Sequence, residues 1–129
     1  MDCQDCGAET VTFEIPEEFS ECVPGSESAV GLCTRCLSLQ PAMEPQEMPD
    51  FDRVSREFPN NQEGAIPLAL LLGLLENLAL YRAEITELLT AVERTGTDPL
   101  LVLDRLAHDP AIETDLDLSG RRRQLEQLL

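Results

Sequence analysis

The first 40 residues place apolar and polar side chains in the alternation that β-strands show. Residues 11–15 alternate strictly until a proline stops the run, which predicts one strand. Apolar residues at 29–32 predict a second strand, and Leu37 and Leu39 predict a third. A proline and a glycine at residues 24–25 predict a turn between the first two strands.

A proline-rich segment follows at residues 41–49. Its three prolines fall within nine residues. Such spacing excludes a regular helix and a central strand, because proline lacks the backbone N–H that both require. The segment therefore predicts a linker between an N-terminal unit at residues 1–40 and a helical unit at residues 50–129.

Beyond this linker the apolar period becomes that of an α-helix. Asp50 can cap a short helix that ends at Phe58. A long helix is predicted from Pro67, a favoured first helical position, to Gly96, which suits a left-handed C-terminal cap. Arg82 interrupts its apolar seam, which consists of Leu68, Leu71, Leu75, Leu78, Ile85, Leu89 and Val92.

Further leucines make the first half of the long helix apolar on nearly every face, so it has to pack on two sides. The sequence favours a homodimer or a protein partner bound through residues 67–95, with Leu71, Leu75 and Leu78 at the contact, because soluble monomers rarely expose a large apolar patch. The alternative is a bundle within the chain, in which the neighbouring shorter helices cover both sides.

Two or three short helices are predicted after the long one. They run from Pro99 to His108 with Asp98 as the cap, briefly from Pro110, and from Ser119 to the end. A small β unit followed by leucine-rich helices predicts the α+β fold class. The core candidates of the short helices are Leu100, Leu103, Leu106, Leu125, Leu128 and Leu129.

The charge balance is strongly acidic. Nine basic residues, all of them Arg, face 25 acidic ones, and the net charge is −16. In molar salt the screening length falls to about 3 Å, so repulsion between carboxylates is weak, and Arg can pair with carboxylates in bidentate geometry. The composition favours a halophilic source; the alternative is an acidic mesophilic protein that lost its Lys residues by chance.

Two CxxC motifs, Cys3 to Cys6 and Cys33 to Cys36, are separated by 26 residues. Each CxxC turn places two thiolates on one side of a metal, and a hairpin between the motifs brings the second pair opposite. The pattern predicts an N-terminal zinc ribbon with one structural Zn²⁺. The alternatives are disulfides, which a reducing cytosol disfavours, a redox CxxC, which needs a βαβ context, and an iron–sulfur cluster.

Cys22 is left over and is predicted to be a small buried residue on a strand, with a role as an alternative ligand as the other possibility.

Residues 1–40 resemble the small CPxCG-related zinc-finger proteins of haloarchaea. The whole chain resembles a haloarchaeal family of unknown role in which such a ribbon precedes leucine-rich helices. Gln4 replaces the proline of the first motif and Leu37 replaces the glycine that usually follows the second. The resemblance implies a zinc-binding regulatory or adaptor protein and carries over no catalytic residue.

The remaining polar residues form no recognisable catalytic group. His108 is the only histidine, which excludes HExxH and Ser-His-Asp arrangements, and its place at a helix end predicts a C-terminal cap. We therefore expect a non-enzymatic interaction or regulatory module. A nucleic-acid-binding regulator that uses Arg35 and residues 121–123 is the alternative, disfavoured by the acidic ribbon. With no signal peptide and no apolar run long enough for a membrane span, we expect a cytoplasmic protein.

Overall fold

The structure is a computed structural model that describes residues 1–23 and 27–128. A small sheet precedes a set of helices, which confirms the predicted α+β class. The predicted turn at residues 24–25 and the predicted core position Leu129 lie outside the described residues. In chain order the elements are β1 (Thr10–Glu14), a 3₁₀ helix (Glu17–Cys22), β2 (Ala29–Cys33), β3 (Leu39–Pro41), a 3₁₀ helix (Phe51–Arg53), α1 (Gln62–Leu74), a 3₁₀ helix (Leu75–Asn77), α2 (Arg82–Arg94), α3 (Pro99–Ala107) and α4 (Leu118–Glu126).

The sheet is antiparallel with strand order β1-β2-β3. The strands predicted at residues 11–15 and 29–32 are confirmed, and every residue of β2 is buried. The third strand begins later than predicted, at Leu39. Leu37 lies before it in a turn with φ of 63°, a left-handed conformation that cannot continue a strand.

The proline-rich segment at residues 41–49 contains no helix, and β3 ends at its first residue. Two of its backbone N–H groups are bonded to the sheet. Ala42 N donates to Ala29 O at 3.0 Å, and Gln46 N donates to Thr12 O at 3.2 Å. The segment therefore runs along the sheet, and the division of the chain into two units stays a prediction.

The prediction of one long helix from Pro67 to Gly96 is wrong. Helix α1 begins earlier, at Gln62, because the Asn61 side chain accepts a hydrogen bond from Gly64 N at 2.7 Å and caps it. Pro67 lies inside α1. After Leu74 the helix tightens into a 3₁₀ turn, and a new helix starts at Arg82.

The break lets α1 and α2 fold back on each other. Gly64 at the start of α1 lies so close to the end of α2 that a Cβ there would be 2.7 Å from Thr95 Oγ1, which fixes an antiparallel hairpin. Helix α1 is buried around nearly its whole circumference, between the sheet on one side and α2 on the other. Packing on two sides is thus achieved within one chain.

This packing removes the argument for a leucine-mediated dimer. Leu71 and Leu75 are fully buried, and Leu78 is 8% exposed, all within a single chain. They belong to one core cluster that also contains Val11 and Phe13 of the sheet. The oligomeric state stays a prediction, but the exposed apolar face that motivated it is covered.

The shorter elements follow the predictions in part. The helix predicted from Asp50 to Phe58 is only the 3₁₀ turn Phe51–Arg53, which Asp50 caps through a bond from Asp52 N. No helix begins at Pro110, where the chain makes a turn. Helix α3 is capped by Asp98 as predicted and ends at Ala107, with His108 as its C-terminal cap. Of the core candidates, Leu103, Leu106 and Leu125 are buried, and Leu100 and Leu128 are partly buried.

Among residues 1–23 and 27–128, none of the helices has the length and apolar character needed to cross a membrane.

Candidate metal centre

The sheet brings the two CxxC motifs together. Cys33 is the last residue of β2 and pairs with Thr10, the first residue of β1. A bridge between Asp2 and Glu9 folds the N-terminal segment back along the start of β1, which places the first motif over the end of β2. The antiparallel pairing of β1 with β2 therefore places the two motifs next to each other.

Each motif is followed by a residue with a left-handed backbone conformation, which turns the chain sharply. Gly7 follows the first motif with φ of 78°, and Leu37 follows the second with φ of 63°. Gly7 N donates to Cys3 O at 3.0 Å and Cys33 N donates to Ser38 O at 2.9 Å, which closes the two turns. Gly7 adopts this conformation at no steric cost, because it has no Cβ.

The four sulfur atoms of Cys3, Cys6, Cys33 and Cys36 all lie within 4.8 Å of one another. Cys6 Sγ and Cys33 Sγ are 3.4 Å apart, and Cys3 Sγ and Cys36 Sγ are 3.6 Å apart. A tetrahedron of metal–sulfur bonds of about 2.3 Å requires sulfur atoms about 3.8 Å apart. The cluster can therefore hold one metal ion with little rearrangement.

Backbone and side-chain N–H groups point at two of these sulfurs. Asp5 N donates to Cys3 Sγ, and both Arg35 N and Cys36 N donate to Cys33 Sγ, each at 3.4 Å. These bonds come from the CxxC turns themselves. They stabilise negative charge on the sulfurs in the manner expected of metal thiolates.

Gln40 is a site residue that sequence reasoning missed. Its side chain is buried, and Nε2 donates to Cys3 Sγ at 3.4 Å. Its Oε1 accepts from Gln4 N at 3.2 Å, so one amide joins β3 to the first motif. The sequence gives no signal for this role, because it depends on the pairing of Gln40 with Gly31 in the sheet.

The thiols differ in acidity. Burial on its own would raise the pKa of the Cys3 thiol, but backbone hydrogen bonds from Cys6 and Asp5 and the neighbouring Cys36 and Cys33 thiols lower that pKa to about 7. For Cys33 and Cys36 burial prevails, and the pKa of each thiol is raised. A bound cation would reverse this rise, because a coordinating thiol loses its proton.

Cys22 lies outside the cluster. It is buried at the end of the 3₁₀ helix Glu17–Cys22 rather than on the predicted strand, and its Sγ is 3.8 Å from Glu87 Oε2. Burial raises the pKa of this thiol to about 12, and the carboxylates of Glu87, Glu84 and Glu21 add to the rise. Cys22 is thus a neutral core residue, in agreement with the prediction of a small buried side chain.

His108 and the consecutive arginines 121–123, which were singled out from the sequence, are not part of the cluster. His108 forms the C-terminal cap of α3 as predicted, with Nδ1 2.8 Å from Asp104 O. Arg121 donates to Glu76 O at 3.0 Å, and Arg122 donates to Leu100 O at 3.1 Å. Two of the three consecutive arginines therefore hold α4 against the neighbouring helices.

No match to the chain was found among curated proteins or among solved structures. The resemblance to the CPxCG-related proteins and the haloarchaeal origin accordingly stay predictions. A family model described as a family of unknown function, DUF6276, matches residues 2–129. This match spans the sheet, the cysteine cluster and all the helices, so the chain belongs to the family of unknown function DUF6276.

Proposed function

We propose that this chain is a non-enzymatic zinc protein that acts as a protein-interaction or regulatory module. One observation carries the proposal. Four cysteine sulfurs, two from each end of a β-hairpin, gather within 4.8 Å of one another. Four thiolates complete the tetrahedral shell of Zn²⁺ and leave no open position for a substrate, which is typical of a structural site.

The position of the cluster supports a structural role for the metal. The ion would join the N-terminal segment, the end of β2 and the turn before β3. The second motif also contacts the helical part, because Glu113 N donates to Arg35 O at 2.8 Å. Zinc binding would therefore stabilise the sheet against which α1 packs.

Exposed methionine side chains in the proline-rich segment support a role in protein interaction. Met43 and Met48 in the proline-rich segment are 97% and 84% exposed. Methionine is a flexible apolar side chain that is common at adaptable binding surfaces. Most leucines of residues 67–95 are buried in the core, so we propose the protein contact at the 41–49 segment instead.

Nucleic-acid binding remains the second candidate. Arg123 is exposed on α4, but Arg121 and Arg122 bond to backbone carbonyls of the same chain. A net charge of −16 opposes an approach to phosphates. An electrophoretic shift at high salt would favour this candidate only if it disappeared with chelator and with Arg123→Ala.

Metal analysis of purified variants tests the zinc proposal. The wild type and Cys22→Ala should each contain one zinc per chain, whereas Cys33→Ala should contain none. Both cysteines are buried, so the pair is matched for burial and differs in membership of the cluster. Iron in place of zinc would give a coloured protein, and zinc loss in Cys22→Ala would contradict the ligand assignment.

Light scattering and a paired variant test the interaction proposal. A particle of 14.3 kDa would indicate a monomer, and one of twice that mass a homodimer. If the 41–49 segment forms the contact, replacing Met43 and Met48 with Ser should weaken it. Leu101→Ser, at an apolar side chain of α3 that is 43% exposed, is the control and should not.

A further inference from the structure

The four cysteines of the cluster are not equally accessible. Cys3 and Cys33 are buried, with 4% and 0% of their surface exposed. Cys36 is half-buried, at the side of an open groove of about 420 Å³ that Asp5 and Glu76 also line. Cys6 is the one member of the cluster that is exposed. An oxidant in solution therefore meets Cys6 first.

The four sulfurs also differ in the hydrogen bonds they accept. Cys33 accepts two backbone N–H bonds, and Cys3 accepts bonds from Asp5 N and the Gln40 amide. Each N–H bond withdraws electron density from a thiolate and lowers its nucleophilicity, so Cys3 and Cys33 are both the more buried and the less reactive sulfurs, and the greater exposure of Cys6 sets it apart from the half-buried Cys36.

We propose that Cys6 is an oxidation site, at which a peroxide reacts first and from which a disulfide to Cys33 forms with release of the metal. The inference rests on the proposed zinc function. Cys33 is the partner because its sulfur is 3.4 Å from that of Cys6.

The chemistry balances in two steps. The Cys6 thiolate attacks one peroxide oxygen, the O–O bond breaks, and hydroxide leaves and takes up a proton to give water, so that Cys6 becomes a sulfenic acid. The Cys33 thiolate then attacks the Cys6 sulfur, the S–S bond forms, and the second hydroxide leaves and takes up a proton. Two thiolates lose two electrons, and the peroxide is reduced to two waters.

Loss of two thiolates removes half of the metal shell. Cys3 and Cys36 alone would leave a weakly bound ion, so the oxidised chain would release Zn²⁺. Cys22 does not compete for the oxidant, because it is 1% exposed and packed in the core. A thiol reductant would reverse the disulfide and restore the site.

Mapping of alkylation on the intact, zinc-loaded protein tests the inference without any variant. A limiting dose of iodoacetamide should modify Cys6 faster than each other cysteine, by about tenfold or more, as mass spectrometry of digests would show. First modification at Cys36, or equal rates at all four ligands, would overturn the assignment. The zinc content measured before treatment tests the proposed function separately.

A matched pair of ligand variants tests the consequence. Cys6→His and Cys36→His can each retain zinc, because three thiolates and one imidazole form a common structural site. With dilute hydrogen peroxide and a chromophoric chelator, zinc release from Cys6→His should slow by about tenfold relative to wild type, whereas Cys36→His should release zinc at nearly the wild-type rate. Slower release from Cys36→His than from Cys6→His would contradict the proposal. If either variant fails to bind zinc at the start, the alkylation map of the wild type decides.

Discussion

Leu37 follows the second CxxC motif in a backbone conformation that glycine adopts more readily. Its φ is 63°, close to the 78° of Gly7 at the equivalent place in the first motif. A non-glycine residue in this region costs roughly 1–2 kcal/mol. Leu37 is 3% exposed and belongs to the core cluster, so the burial of its side chain offsets that strain.

Two substitutions at Leu37 separate strain from burial. Leu37→Ala should lower the free energy of unfolding by about 2–4 kcal/mol, because it removes the buried side chain and keeps the strained φ. Leu37→Gly also loses the side chain but relieves the strain, so it should be at least as stable as Leu37→Ala. Chemical denaturation of the zinc-loaded protein measures both. A glycine variant clearly less stable than the alanine variant would show that the left-handed conformation carries no cost.

The Cys22 thiol should make stability fall at high pH. Its pKa is raised to about 12 in the folded chain, by burial first and then by Glu87, Glu84 and Glu21, whereas an unfolded thiol titrates near 9. Its neutral form therefore favours folding fully below pH 9, and this contribution is lost as pH rises towards 12. Cys22→Ala should flatten the decline between pH 9 and 12. Parallel declines in thermal unfolding of the two proteins would contradict the raised pKa.

The cysteine cluster could be predicted from the sequence, because it needs only the spacing within each CxxC motif and a hairpin between the motifs. The strands supplied that hairpin through a plain alternation at residues 11–15. The contact between the Gln40 amide and Cys3 could not be predicted, because it depends on the register of the three-stranded sheet. The ligands could therefore be predicted from their spacing along the chain, whereas a contact that depends on strand pairing could not.

At the scale of elements, the interruption between α1 and α2 is the main departure from sequence expectation. Residues 75–81 contain no glycine or proline, and the leucine period runs straight through them. The chain nevertheless turns there, and Asn77 O accepts bonds from both Leu80 N and Tyr81 N, at 3.0 and 3.2 Å. Tertiary packing overrides local propensity, because folding back buries leucines on both sides of α1 within the chain.

A pair of aspartate substitutions in this interruption tests the intramolecular packing. Leu75 is fully buried, whereas Leu80, five residues later, is 72% exposed. Leu75→Asp should unfold the chain, because an unpaired carboxylate in an apolar core costs several kcal/mol. Leu80→Asp should leave circular dichroism and melting temperature nearly unchanged. A folded Leu75→Asp monomer obtained from a dimeric wild type would instead place Leu75 in a contact between chains.

At the scale of the whole molecule, the acidic surface should make stability depend on salt. A net charge of −16 on 129 residues repels across the molecule once the screening length grows from about 3 Å in molar salt to about 30 Å at 0.01 M. The melting temperature should fall over that range. Neutralising the exposed Glu17, Glu18 and Glu21 with Gln should reduce the fall. A wild-type melting temperature that does not change with salt would contradict the halophilic interpretation.

We propose that Cys3, Cys6, Cys33 and Cys36 together hold one zinc ion. X-ray absorption at the zinc edge, combined with metal analysis of the full chain, identifies the metal and its ligands. We expect one zinc per chain and a first shell of four sulfur atoms at about 2.3 Å. A shell that contains nitrogen or oxygen, or a sheet that stays folded and metal-free in strong chelator, would contradict it.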